Sequence, residues 1–178
     1  STSSTDDGVI TVAGDKFTDA AGNANPSEVS LTLAVDTVVP GITITSSDNA
    51  LIAGETATIT FTLTEGSTNF IRDDITVSGG TLGALTEVSS TEYTAVFTPS
   101  TSSTDDGVIT VAGDKFTDAA GNDNTSGSLT LDIDTVVPTI TITTSDDELK
   151  AGETATITFT LSEASTDFVL EDITATGG

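Results

Sequence analysis

Ten side chains in this sequence have the type and spacing to grip a hard cation. They are Asp36, Glu65, Asp118 and Asn122, with Asp6 and Asp7, and then Asp134, Glu163, Asp105 and Asp106. All of them offer oxygen. Ca²⁺ takes six to eight such ligands at roughly 2.3–2.6 Å, with backbone carbonyls and water completing the shell. Mg²⁺ demands stricter octahedral geometry, and zinc prefers nitrogen or sulfur. The chain contains neither histidine nor cysteine. That lack also removes the usual general base and the thiol nucleophile, and no serine sits in a Gly-x-Ser-x-Gly setting. The adjacent acids Asp73–Asp74 and Asp105–Asp106 make poor glycosidase pairs, because neighbours on an extended strand point to opposite faces. An enzyme is not expected.

These ten residues form two sets because the chain repeats. Ser1 to Asn23 return unchanged as Ser100 to Asn122, and Asp36 to Gly80 return as Asp134 to Gly178 with most positions identical. The unit is about a hundred residues, long enough to bury its own core and fold as a domain. Residues 1–35 read as the C-terminal part of one repeat, 36–133 as a complete repeat and 134–178 as the N-terminal part of the next. Disulfides are ruled out, and a domain without them commonly uses a metal as its staple. Four basic residues oppose twenty-eight acidic ones, for a net charge of −24. Such a chain repels phosphate backbones and anionic membrane surfaces, so nucleic acid is excluded as a partner. No membrane-spanning run is present, and no membrane insertion is expected.

Apolar and polar residues alternate with period two throughout. In Thr56 to Leu63, the apolar side chains at 57, 59, 61 and 63 share one face and threonines the other. The pattern predicts seven strands in the complete repeat: 42–46, 56–64, 75–78, about 85–88, 92–98, 108–114 running on to 116, and 128–133. Turn-rich stretches separate them. Seven short alternating strands predict an all-β fold of tandem immunoglobulin-like antiparallel sandwiches. Gly113 reads as a bulge, the outward threonines as a solvated face, and Phe70 and Tyr93 as residues at the edge of the core. Asn124-Thr125-Ser126 matches a glycosylation sequon, and Asp132 reads as merely solvated, because alanine (Ala34) stands there in the other copy.

On that frame Asp36 lies at the joint before the first strand, Glu65 after the second, and Asp118 and Asn122 before the seventh. All four are expected at one end of the complete repeat. Asp6 and Asp7 come from the far end of the preceding repeat. The next joint repeats the arrangement with Asp134, Glu163, Asp105 and Asp106.

The strings Asp134-Thr-Val-Val-Pro138, Ala151-Gly-Glu-Thr-Ala-Thr-Ile-Thr-Phe159, Leu161-Ser-Glu163, Asp172-Ile-Thr174 and Phe116-Thr-Asp-Ala-Ala-Gly-Asn122 resemble a known family. It comprises the bacterial immunoglobulin-like tandem repeats of giant biofilm-associated, RTX-type surface adhesins, often exported by type I secretion. The resemblance implies an extracellular spacer on the bacterial cell surface, with each sandwich touching its neighbours in the same chain and calcium stiffening the joints. Two other functions fit the residues: a self-assembling surface filament or S-layer-type subunit that pairs through edge strands, and a carbohydrate- or protein-binding module.

Overall fold

Alternating β-branched residues leave the backbone extended, and the structure, a computed structural model, describes residues 3–177 as strands joined by turns. Among the described residues there are thirteen strands, two short 3₁₀ turns and no α-helix. The chain divides into two compact units, Ser1–Thr135 and Val136–Gly178.

The first unit opens with an antiparallel hairpin, β1 (Gly8–Val12) and β2 (Val29–Leu33). The complete sandwich follows. One sheet holds β3 (Ile42–Ser46), β5 (Ala57–Leu63), β9 (Glu92–Pro99) and β7 (Gly80–Leu82) in that order, with β8 (Thr86–Ser89) also pairing β9. The other runs β4 (Ala50–Ile52), β11 (Gly127–Asp134), β10 (Gly107–Val111) and β6 (Ile75–Ser78). Every pairing is antiparallel except β4 with β11.

The inner faces meet in a core of Ile44, Ile59, Phe61, Phe97, Ile109, Val111, Leu131 and their neighbours. On β5 the burial alternates residue by residue, as the period-two pattern requires. At one end of the core Phe70 packs edge-on against Phe61 and Tyr93, and tilted against Phe116, with centroids 5.1–5.8 Å apart. Phe70 and Tyr93 are buried, and the Tyr93 hydroxyl donates to the Ser67 carbonyl at 3.0 Å. Neither ring is a platform for a sugar.

The sandwich has nine strands where seven were expected. The chain crosses from the first sheet to the second through the turn 47–49, so that β4 runs parallel to β11. Past the third expected strand the chain crosses at Gly79 (φ +71°) to the other sheet, where β7 pairs with β9. A Cβ on Gly79 would lie 2.3 Å from the Asp106 carbonyl oxygen, so the site needs glycine for space as well as for conformation. Strand β10 stops at Val111, and Gly113 lies in a turn instead of a bulge; the left-handed residue there is Asp114, φ +60°. The pair Asp73–Asp74 lies in a 3₁₀ turn and not on an extended strand, with the Asp74 carboxylate accepting from the Ile71 N–H at 2.9 Å. Asp132 is exposed on β11.

The second unit holds the antiparallel pair β12 (Ile140–Thr144) and β13 (Ile157–Leu161), a 3₁₀ turn at Leu170–Asp172, and Phe159 tilted against Phe168.

Candidate metal centre

Three segments meet where β3 begins and β5 ends. Ile42 pairs with Leu63, which puts the linker 36–41 beside the loop that starts at Glu65. Val111 pairs with Ile75 and Gly127, which brings the loop 112–126 to the same end. The Thr125 N–H donates to the Pro40 carbonyl at 2.9 Å, and a bond of 3.0 Å from Thr64 N–H to Gly41 closes the other side.

The loop 112–126 is built around two side chains. The Asp118 carboxylate accepts the N–H groups of Ala120, Gly121 and Asn122 at 2.8–2.9 Å through one oxygen, and Asn122 Nδ2 at 2.8 Å through the other. Gly121 (φ +94°) lets the chain close this turn. Asn124 is 3% exposed and makes four bonds. Its Oδ1 accepts from Lys115 and Phe116 at 2.7 and 2.8 Å, and its Nδ2 donates to the Ala112 and Thr125 carbonyls at 2.9 and 2.8 Å. The residue read as a sequon asparagine is therefore an internal brace. A signal was present in the sequence: Asn25 holds the same place in the first copy, although its neighbours Ala24 and Pro26 become Asp123 and Thr125.

Asp36, Glu65, Asp118 and Asn122 are thus brought to one end of the sandwich. Asn122 Nδ2 also donates to the Asp36 carbonyl at 3.2 Å, and Asp36 Oδ1 accepts the Val38 N–H. Glu65 is half-buried, and its Oε2 is buried without a hydrogen-bond partner. Burial first, and then the charges of Asp36 and Asp118, push the Glu65 carboxyl above its ordinary range. Asp118 goes the other way. Burial opposes its ionisation, yet the Asn122 amide and the backbone N–H groups outweigh burial and hold it below the usual range. The donors are hard oxygens, and one of them is orphaned. Among the described residues no three acidic side chains are drawn together into a finished cage. A cation here would have to gather them.

The other six acids are carried by other segments. Asp6 and Asp7 are exposed in the loop before β1, and Asp105 and Asp106 in the equivalent loop before β10. These loops are tied to the joints by hydroxyls and backbone instead. The Thr37 N–H donates to the Ser4 carbonyl and the Thr135 N–H to the Ser103 carbonyl, both at 2.9 Å. Asp134 ends β11, and Glu163 is half-buried in the second unit.

The sequence profile of the bacterial Ig-like domain matches residues 36–133 and again 134–178. The chain belongs to the bacterial Ig-like domain family. Among solved structures the Ig-like chain is similar to FdeC, described as a broadly conserved Escherichia coli adhesin eliciting protection against urinary tract infections. The identity is 17%, the TM-score 0.41, and the match covers 80% of this chain and 48% of FdeC. The Ig-like chain therefore spans about half of that protein's length. No protein of curated function matches it. Among the described residues no helix of these repeats is long and apolar enough to cross a membrane.

Proposed function

We propose that these Ig-like repeats form a non-enzymatic, extracellular spacer on a bacterial surface adhesin, with calcium bound where one repeat enters the next. The carrying observation is the buried, unpartnered Oε2 of Glu65, held near two more carboxylates. A buried charge of this kind is costly unless a cation or proton neutralises it. Asp36, Glu65 and Asp118 would supply the negative ligands, and carbonyls of the linker the neutral ones. A bound divalent cation would supply charge neutralisation there and nothing catalytic.

Calcium at a hundredfold excess over its Kd should stabilise the native chain by about 2.7 kcal/mol. Differential scanning calorimetry in CaCl₂ and in chelator checks this. Equal melting points discard the clamp, and an equal response to Mg²⁺ turns it into generic charge screening. Asp36→Ala should remove much of the calcium shift, whereas Asp132→Ala, on an exposed strand position, should leave it whole. If the two variants behave alike, the acids are only a solvated surface.

A further inference from the structure

Asp36 and Thr37 are chain neighbours that serve different repeats. Asp36 works forward. Its carbonyl accepts Asn122 Nδ2 of the following sandwich, and its charge acts on Glu65. Thr37 works backward. Besides the bond from its N–H to Ser4, its Oγ1 accepts the Ser4 N–H at 2.9 Å and donates to the Ser4 carbonyl at 3.3 Å.

The next joint repeats the backward half. Thr135 Oγ1 accepts the Ser103 N–H at 3.0 Å and donates to the Ser100 carbonyl at 2.6 Å and the Ser103 carbonyl at 3.2 Å. Thr135 is only 4% exposed. A hydroxyl is both donor and acceptor, so one short side chain closes the loop from both directions. Serine preserves that chemistry. Valine preserves the shape and loses it.

We propose that Thr37, and Thr135 at the next joint, is a metal-independent positioning residue. It pins the linker to the loop of the preceding repeat, so the direction in which Asp36 enters the next repeat is set before any cation arrives. A linker fixed in advance spares the cation the cost of ordering it, which raises affinity without adding a ligand. The inference rests on reading Asp36 as part of the joint site, but its decisive measurement needs no metal.

The test uses the full 178-residue chain with spin labels at Thr32 and Thr58, both exposed and one on each side of the joint. In chelator, the label-to-label distance distribution should be narrow in the parent, clearly broader in Thr37→Val, and narrow again in Thr37→Ser. Ser4 amide exchange in Thr37→Val should quicken by about fivefold, the loss of one net hydrogen bond. The melting point of the sandwich should not move, because Thr37 is no part of its core. In calcium the Thr37→Val distribution should narrow, at an affinity weaker by about tenfold, and calorimetric titration reads that loss. A Thr37→Val distribution as narrow as the parent's in chelator overturns the proposal, and so does a parent that is broad until calcium is added. Absence of calcium binding would refute the calcium reading, while the chelator comparison would still decide the role of Thr37.

Discussion

Asn124→Ala should cost the complete repeat about 3 kcal/mol, enough to lower its melting point by roughly 10–20 °C. The substitution strands two N–H groups and two carbonyls that one amide now satisfies. The full sum of four unmet groups would be larger, but Ala112 and Lys115 are exposed enough for water to reach. The brace also sets the loop that carries Asp118 and Asn122, since Asn124 Oδ1 accepts the Phe116 N–H two residues before Asp118. Calcium affinity should therefore fall with stability, although Asn124 offers the cation nothing. Thermal melts and calcium titration on one sample check both effects. A loss below about 0.5 kcal/mol, the size of an ordinary surface change, would show that the brace is not needed.

Glu65→Gln should change stability in opposite directions with and without calcium. In chelator at neutral pH the variant should be more stable by about 1 kcal/mol, because it removes a half-buried charge that faces Asp36 and Asp118. In calcium it should be less stable than the parent, since most of the calcium shift goes with the carboxylate.

The pH dependence follows from the directions of the two shifts. Folded Glu65 holds its proton more tightly than the unfolded chain does. Its penalty is complete above the raised folded pKa, shrinks as pH falls through it, and is gone below the unfolded value of about 4.3. The gain of the variant in chelator should fade over that window. Asp118 acts in the reverse sense, its stabilisation being present above about 3.9 and lost as pH falls through its lowered folded pKa. Acidification should thus relieve Glu65 first and then undo the Asp118 turn. Chemical denaturation between neutral pH and acid checks the order. If Glu65→Gln shifts stability the same way in chelator and in calcium, Glu65 is not a ligand.

The strands were legible because burial on one face writes itself as alternation, and Thr56 to Leu63 carries that alternation for eight residues. The three-residue strands β4 and β7 were not. Alternation needs more length, and β4 exists because Asp132 to Asp134, far along the chain, lie beside it. The end at which Asp36, Glu65, Asp118 and Asn122 gather followed from strand order alone. The orphaned oxygen of Glu65 and the hydroxyl lock of Thr37 depend on which atoms of distant segments approach within bonding distance, and no local pattern encodes that.

The twin copies separate the two kinds of information within one molecule. Ser1–Asn23 and Ser100–Asn122 are identical, and where described they take the same local form. Asp15 and Asp114 have φ of +58° and +60°, Asn23 and Asn122 both clasp the preceding aspartate, and Asp19 and Asp118 are both held below the usual carboxylate range. For Asp19 the Asn23 side chain is the chief cause, whereas burial is the largest influence on Asp118 and opposes the shift. Val12 is 45% exposed and Val111 is fully buried. Hydrogen bonds that close within a few residues come with the sequence and recur in each copy. Burial is a relation to strands elsewhere in the chain, so the same residues are surface beside the hairpin and core beneath β3, β5 and β9.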